Sequence, residues 1–181
     1  GAECVGGPMS AVSDSLAGKA ISHATSTPLG MGASVFHYSK NPQYVHTVYQ
    51  GFFKREVFEK VGYFDENLVR NQDDEMSYRL RKNGYKIYYD PNIKSVYYNR
   101  SSLTKLFKQY FQYGLYKPLV FRKLKYGMQT HHFIPAVFLI YLLSLIVFPD
   151  STVYFFPLLL YFLLCIYYSS ISKSGMITRL L

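Results

Sequence analysis

The chain lacks the residue patterns that hold disulfide frameworks, zinc sites and nucleotide phosphates. Its 181 residues include two cysteines, Cys4 in a mixed segment and Cys165 in an apolar run. Such a pair does not form a disulfide framework, and it suits a reducing compartment. No Cys/His zinc spacing and no G-x-x-x-x-G-K loop occurs. The sequence therefore gives no support for a disulfide-stapled domain, a zinc module or a P-loop enzyme.

Acidic residues are scarce, and the basic excess is concentrated in one stretch. The 20 Lys and Arg against 11 Asp and Glu give a formal net charge of +9. The basic stretch contains Arg100, Lys105, Lys108, Lys117, Arg122, Lys123 and Lys125. Because it directly precedes an apolar tail, we expect it to meet anionic lipid headgroups, where each nearby Lys or Arg contributes about 1 kcal/mol. Nucleic acid is the less favoured partner, since no recognition motif is present.

Charge is absent from two runs in the last third of the chain, residues 133–148 and 153–168. Each run is slightly shorter than the roughly 20 residues that span a bilayer core, and extension to Ile171 lengthens the second. A domain of this size has no interior for two helices that are apolar all round. We therefore predict a membrane hairpin, either spanning or re-entrant, with its turn at Asp150.

Basic residues flank both ends of this predicted hairpin. Residues 117–125 precede the first run, and Lys173 and Arg179 follow the second. Because basic flanks are retained on the cytoplasmic side of a membrane, both ends are expected to face the cytoplasm at the inner (plasma) membrane.

The chain begins with Gly1, and no signal sequence follows it. Residues 2–5 are typical of the end of a strand, which Gly6, Gly7 and Pro8 would break. A chain that begins inside a strand is expected to be a fragment of a longer protein. A trimmed or processed terminus is the alternative.

Short elements are predicted in the first third of the chain. A weak helical pattern covers residues 9–25, and a short strand is expected over 45–49. Residues 51–58 lead into a helical turn, which Gly62 ends.

The best-defined helix begins at Asn71, a good N-cap residue. The acidic residues Asp73, Asp74 and Glu75 occupy its first turn, and Gly84 ends it after a basic last turn.

Two strands, over 86–89 and 93–98, lead to a second helix that Ser101 or Ser102 caps. The apolar face of this helix contains Leu103, Leu106, Phe107, Tyr110 and Phe111, and its polar face contains Lys105, Lys108 and Gln112. Such a helix next to a membrane segment is expected to lie along the bilayer surface.

Three consecutive carboxylates at a helix start have two interpretations. On a solvated surface they stabilise the helix dipole. In a cleft, a carboxylate within hydrogen-bond reach of a hydroxyl takes its proton as the hydroxyl attacks. The helix start would orient such a base, although the dipole also lowers its pKa.

The order of the motifs favours the second interpretation. Residues 61–66 read V-G-Y-F-D-E, residues 71–81 read N-Q-D-D-E-M-S-Y-R-L-R, and G-Y-K-I follows. This order resembles the acceptor-side half of family 2 glycosyltransferases with the GT-A fold. It is most similar to the succinoglycan-type exopolysaccharide glycosyltransferases, through residues 70–81, 100–106 and 109–114.

The resemblance covers residues 4–126 and implies an inverting sugar transfer with Asp73 as general base. It implies acceptor-binding or supporting roles for Asp74, Glu75, Asn71, Arg79 and Arg55. It implies interfacial positions for Gln109, Gln112, Tyr113, Lys105 and Lys108. Arg79 either pairs with the acidic residues or approaches the donor phosphates.

Two departures from the family pattern bear on the reaction. Tyr97 and Tyr98 stand where the family often has a His that contacts the metal or the donor phosphate. Gln109, Gln112 and Tyr113 stand where processive members carry Q-x-x-R-W, without its Arg or Trp. The resemblance therefore implies addition of one sugar to a lipid-linked acceptor rather than extrusion of a polymer.

The family's D-x-D motif, which holds a divalent ion on the donor diphosphate, does not occur in the chain. Asp73 and Asp74 do not replace it, because adjacent side chains on a helix diverge. We expect no metal site in this chain, and a Mg or Mn ion held by ligands in the nucleotide half of the parent enzyme. Surface or interfacial positions are expected for His23, His37, His46, His131 and His132. Of these, His46 precedes the acceptor-side residues 51–55.

The sequence thus predicts an α/β fold with three parts. Residues 1–100 form the C-terminal half of a Rossmann-like GT-A domain, 101–130 a basic amphipathic interfacial helix, and 131–181 a membrane anchor of two apolar helices. The expected partners are a nucleotide-sugar donor, a lipid-linked or polysaccharide acceptor and the membrane, with no nucleic acid. The reaction would serve exopolysaccharide or cell-surface glycan synthesis, with the catalytic part cytoplasmic. The fragment alone is expected to be inactive, and the alternative function is a non-catalytic membrane-surface binding module.

Overall fold

The computed structural model describes residues 1–124, 130–149 and 152–177. The chain divides into two compact units, residues 1–127 and 128–181.

Strands and helices alternate through the first unit. In chain order the elements are β1 (Cys4–Gly7), β2 (Met9–Val12), α1 (Leu16–Ala24), α2 (Pro28–Met31), β3 (Gln43–Val45), β4 (Tyr49–Phe53), α3 (Arg55–Val61), α4 (Gln72–Lys82), β5 (Ile87–Tyr89), β6 (Ser95–Tyr98) and α5 (Leu103–Leu124). A 3₁₀ turn, Val35–His37, lies between α2 and β3.

The main sheet has four strands in the order β3-β5-β1-β4. β1 pairs in parallel with β5 and antiparallel with β4, while β3 pairs antiparallel with β5. A separate parallel pair joins β2 to β6, with Met9 opposite Ser95. This mixed α/β architecture confirms the α/β part of the predicted fold class and fits a glycosyltransferase domain.

The core lies between the main sheet and α4. Its buried members are Cys4, Val48, Val57, Met76, Leu80, Ile87 and Tyr89. Met76 and Leu80 are four residues apart, so they lie on the same face of α4. Burying a side chain of this size contributes about 1.5–3 kcal/mol. The buried Tyr89 has a hydrogen-bond partner for its hydroxyl, which donates to the Ser39 carbonyl at 2.7 Å.

The local signals placed several elements correctly. α4 begins and ends within a residue of its predicted bounds, and Gly84 follows it with a φ of +80°, a conformation that favours glycine. Gly62 has the same φ and ends α3. The strands predicted over 86–89 and 93–98 are β5 and β6.

Two predicted elements are wrong in part. Residues 9–25 form a strand followed by a helix, because β2 gains a parallel partner in β6 and the Ser15 side chain then caps α1 by accepting from the Gly18 N–H at 3.0 Å. The strand predicted over 45–49 is the junction between β3 and β4, in which Val48 is buried against the core.

The long helix α5 begins as predicted, because the Ser102 side chain accepts from the Lys105 N–H at 3.3 Å. The helix continues through Pro118. The large apolar side chains on its exposed side are Leu103, Phe107, Tyr110, Phe111, Leu115 and Leu119. Leu106, predicted to lie on that face, is instead half-buried.

The second unit contains two apolar helices, α6 (Ile134–Val147) and α7 (Phe156–Ile177), preceded by the 3₁₀ turns Thr130–Phe133 and Thr152–Phe155. The helices contact each other through Tyr141, whose hydroxyl donates to the Tyr154 carbonyl at 2.6 Å and accepts from the Leu158 N–H at 3.1 Å.

None of the helices in the described ranges combines the length and the apolar character needed to cross a membrane. The spanning hairpin therefore stays a prediction. Its turn at Asp150 and the flanking residues Lys125 and Arg179 lie outside the described residues, as do the side chains of His131 and Lys173.

Candidate active site around Asp73

A left-handed turn at Asn71 leads the chain into α4. Asn71 has a φ of +61° and a ψ of +23°, a conformation that Asn tolerates better than most residues. The expected side-chain cap is absent from this helix start, where Asn71 is left-handed rather than extended. Asn71 Nδ2 donates to the Tyr113 carbonyl on α5 at 3.3 Å. The turn thus fixes the direction in which the first side chains of α4 project.

The Asp73 carboxyl lines a cleft of about 230 Å³ between α4 and the β1–β4 edge of the sheet. The cleft is lined by Cys4, Val48, Gln50, Gly51, Phe53, Phe64, Asp73 and Ser77. Apolar and aromatic groups dominate this lining, and Gln50, Asp73 and Ser77 supply its polar side chains. A cleft of this composition suits a ligand with both apolar and hydroxyl surfaces.

The pKa of the Asp73 carboxyl is raised above its ordinary value. The main cause is partial loss of hydration to the protein atoms around it, although Asp73 remains exposed at the mouth of the cleft, and the negative charge of Asp74 adds to the effect. Backbone N–H groups at the helix start and the positive charge of Lys117 act in the opposite direction. The helix start therefore lowers this pKa, as expected from the sequence, but its effect is smaller than the two effects that raise the pKa.

Asp74 points away from the cleft and pairs with α5. Its Oδ2 accepts from Lys117 Nζ at 2.5 Å, with both side chains about one third exposed. Asp73 and Asp74 therefore diverge, as adjacent residues on a helix do.

Glu75 is fully buried and held by two cations. Its Oε1 accepts from Arg79 Nε at 2.8 Å and lies 3.2 Å from Lys123 Nζ. Lys123 also donates to Asp65 Oδ2 at 2.7 Å, so one lysine joins α5 to both α4 and the loop before it. This arrangement leaves Glu75 enclosed and directed away from the Asp73 cleft.

Arg79 contacts the end of α3 as well as Glu75. Its Nη1 donates to the Val61 carbonyl and its Nη2 to the Tyr63 carbonyl at 2.7 Å. Of its two predicted roles, the structure shows the pairing with an acidic residue. Arg55 begins α3 with an exposed side chain, outside the lining of the Asp73 cleft.

The polar residues of α5 that were predicted to be interfacial make contacts within the first unit. Gln112 Oε1 accepts from Arg70 Nε at 3.1 Å, and Gln109 Oε1 accepts from Arg100 Nε at 3.1 Å. Gln109 Nε2 donates to the Tyr113 hydroxyl at 2.7 Å.

The two remaining interfacial candidates lie near the start of α5. Lys105 Nζ contacts Ser101 Oγ at 3.4 Å, and the Lys108 side chain is exposed.

Several contributors to the site were not found from the sequence. Cys4 and Gln50 reach the cleft through strand pairing, which joins residues distant in the chain. Lys117 and Lys123 were read as part of a lipid-facing basic block. Lys123 lies three helical turns after Gln112, and that spacing was the signal that could have placed it on the side facing α4. Lys117, five residues after Gln112, gave no such signal.

The other residues singled out from the sequence lie apart from the cleft. Tyr97 contacts the Tyr49 ring at a centroid distance of 5.9 Å. His46 Nδ1 lies 3.0 Å from Arg81 Nη1. His37 was predicted to be a surface residue, but it is half-buried, and loss of hydration lowers the pKa of its imidazole to about 4.

The part of the chain that the structure describes contains no group of three or more His, Cys, Asp or Glu side chains able to hold a metal ion. Asp73 and its neighbours therefore do not fit a divalent-ion site, since Asp74 and Glu75 are engaged by cationic side chains.

The chain is similar to two characterised proteins. Over 144 residues, 79% of its length, it is 36% identical to a dolichyl N-acetyl-alpha-D-glucosaminyl phosphate 3-beta-D-2,3-diacetamido-2,3-dideoxy-beta-D-glucuronosyltransferase of Methanococcus voltae. Over 114 residues, 63% of its length, it is 36% identical to the succinoglycan biosynthesis protein ExoA of Rhizobium meliloti. No protein-family model and no solved structure matches it.

These similarities confirm that the chain resembles glycosyltransferases, and they support that enzyme class for it. The resemblance to succinoglycan-type proteins, predicted from the segment around Asp73, is confirmed by the likeness to ExoA. The chain spans 44% and 34% of the lengths of these relatives, less than half of each.

Proposed function

We propose that this chain is the acceptor side of a glycosyltransferase in which Asp73 is the general base. The observation that carries the proposal is the different surroundings of three adjacent carboxylates. Among the described residues, Asp74 and Glu75 are each paired with a cation, whereas Asp73 lines the cleft and takes part in no ion pair. Two carboxylates stabilise the fold, and the third is directed towards a ligand-sized space.

The proposed reaction transfers a sugar from a nucleotide-sugar donor to an acceptor hydroxyl. Asp73 takes the hydroxyl proton while the hydroxyl oxygen forms a bond to the anomeric carbon. The bond from that carbon to the donor's phosphate oxygen breaks, and the nucleotide diphosphate leaves with the bonding electrons. Attack opposite the leaving group inverts the anomeric configuration. A base with a raised pKa holds the transferred proton better than an ordinary aspartate, which favours this step at neutral pH.

The cleft supports a saccharide acceptor. The Phe53 and Phe64 rings give it an apolar wall, and Gln50 and Ser77 give it groups that exchange hydrogen bonds with hydroxyls. Its volume is below the 300–1,000 Å³ typical of sites for drug-sized ligands. We propose that one sugar ring of the acceptor enters it, while the donor and its divalent ion are held by residues outside those described.

A membrane location is part of the proposal. The exposed side of α5 carries Phe107 and Phe111, which are 72% and 58% exposed, and Lys108 beside them and Arg122 near the end of the helix add positive charge. Aromatic groups beside basic ones fit an anionic bilayer surface. A lipid-linked acceptor at the inner (plasma) membrane, on its cytoplasmic side, would meet the Asp73 cleft from that surface.

The second candidate function is a membrane-surface module without catalysis. The same exposed side of α5 supports it, and the acidic cluster would then be structural. Glu75 and Asp74 fit that description, but the position of Asp73 in the cleft favours catalysis.

The test is sugar transfer by the full-length protein carrying Asp73→Asn, with Glu59→Gln as the matched control. Glu59 is an exposed carboxylate on α3 that does not line the cleft. We expect Asp73→Asn to lower kcat by about 10²- to 10⁴-fold, the usual contribution of a general base, with an unchanged melting temperature. Equal transfer by both variants would contradict the proposal. Lipid binding by the wild-type protein without any sugar transfer would favour the non-catalytic module.

A further inference from the structure

Three residues of α5 contact the turn that carries Asp73. Gln112 accepts from Arg70, the Tyr113 carbonyl accepts from Asn71, and Lys117 donates to Asp74, at 3.1, 3.3 and 2.5 Å. The contacted residues 70, 71 and 74 lie on both sides of Asp73 in the chain. The start of α4 is thus held from α5 before and after the proposed base.

Further along α5, Lys123 makes the same kind of connection. It contacts Glu75 at 3.2 Å and Asp65 at 2.7 Å, and so joins the next residue of α4 to the preceding loop. Residues 112, 113, 117 and 123 are spaced so that they lie within one side of the helix. One side of α5 therefore contacts the segment from Asp65 to Glu75 at several points along its length.

The Lys117–Asp74 pair has the most direct relation to Asp73. The charges of Asp74 from its own helix and of Lys117 from α5 act on Asp73, and the protonated Cys4 thiol of β1 lines the same cleft. Arg81 interacts electrostatically with Asp74 from further along α4. Lys117 both neutralises Asp74 and draws its carboxylate towards α5, away from the cleft.

We propose that Lys117 and Gln112 are positioning residues, which hold the first turn of α4 so that Asp73 projects into the cleft. The inference rests on the proposed function and adds a role for α5 in it. Much of the rate enhancement that a catalytic group provides depends on its position, since a displacement of about 1 Å costs on the order of 100-fold in rate.

The test compares Lys117→Met with Lys117→Arg in the full-length protein, and Lys60→Met, at an exposed lysine of α3, is the matched control. We expect Lys117→Met to lower kcat about 10- to 100-fold, while KM for the donor changes little. Lys117→Arg should retain most of the activity because it keeps the charge next to Asp74. Lys60→Met should behave as the wild type does in transfer.

The pH profile of kcat/KM separates positioning from general damage to the fold. Loss of the Lys117 charge should raise the pKa of Asp73 and move the acid side of the profile to higher pH. Asp74→Asn, which breaks the same pair by removing the negative charge, should move it to lower pH. Simple destabilisation would give no such opposite shifts.

The outcomes distinguish this inference from the proposed function. If Asp73→Asn abolishes transfer but Lys117→Met keeps the wild-type kcat and pH profile, the positioning role is overturned and the catalytic proposal stands. If Asp73→Asn retains transfer, the catalytic proposal itself fails. Should Lys117→Met not fold, Asp74→Asn and Gln112→Leu probe the same contacts. Unchanged kcat and pH profile in both would overturn the inference.

Discussion

The Arg79 side chain donates from Nε to both carboxylate oxygens of Glu75, at 2.8 and 3.0 Å. Glu75 is fully buried, and the Arg79 side chain is 19% exposed. The remaining Arg79 nitrogens donate to the carbonyls of Val61 and Tyr63 at the end of α3. The pair thus joins two helices through a network in which the buried charge is well satisfied.

Removing one partner of this pair should destabilise the fold strongly. Arg79→Met would leave the Glu75 carboxylate with Lys123 alone, and we expect the free energy of unfolding to fall by about 3–5 kcal/mol, the usual cost of breaking a buried pair. Lys54, which is exposed, forms a pair with the half-buried Glu3 at 3.9 Å and serves as the control. Lys54→Met should cost about 1 kcal/mol or less. Denaturant unfolding measures both, and equal losses would contradict the structural role of Arg79.

Asp65 should make stability depend on pH in the acid range. Hydrogen bonding from Lys123 and from the Asn67 N–H lowers the pKa of this carboxyl to about 2. Its contribution is therefore present above its unfolded value of about 4, and it is lost as pH falls through about 2. The melting temperature should fall as pH is lowered from 5 to 2, and the slope of this fall should be smaller in Asp65→Asn than in the wild type. The exposed neighbour Glu66→Gln is the control, and an unchanged slope in Asp65→Asn would show that the Lys123 contact contributes little.

The exposed side of α5 should contact lipid. Spin labels placed at Phe107→Cys and Phe111→Cys, in full-length Cys165→Ser protein bound to anionic vesicles, should be reached by oxygen more readily than by a water-soluble nickel reagent. A label at Phe52→Cys on β4, where the native side chain is 65% exposed, should show the opposite preference. The proposed membrane surface would be wrong if the α5 labels behaved like the label at residue 52.

Local chemistry explains which elements were predictable. The bounds of α4 follow from an acidic first turn, a basic last turn and Gly84, all of which act over a few residues. β2 was missed because its strand character comes from pairing with β6, more than eighty residues later. Propensity within Met9–Val12 does not contain that information.

The candidate site was predictable in its central residue and not in its surroundings. Asp73 was identified through a motif, whereas the cleft that receives it depends on strands β1 and β4. A count of charges along the chain does not show which groups Lys117 and Lys123 contact. Both belong to the basic block by sequence, but their side chains pair with Asp74, Asp65 and Glu75 instead of remaining available to lipid.

The pH dependence of kcat/KM for the acceptor, measured in the full-length protein at saturating donor, tests the role of Asp73 most directly. We expect the rate to fall on the acid side through one ionisation, with a midpoint above that of an ordinary aspartate, because partial loss of hydration and the charge of Asp74 raise the pKa of Asp73. Circular dichroism at each pH would establish that the protein stays folded. A rate that remains constant to below pH 4 in folded protein would contradict Asp73 as the general base.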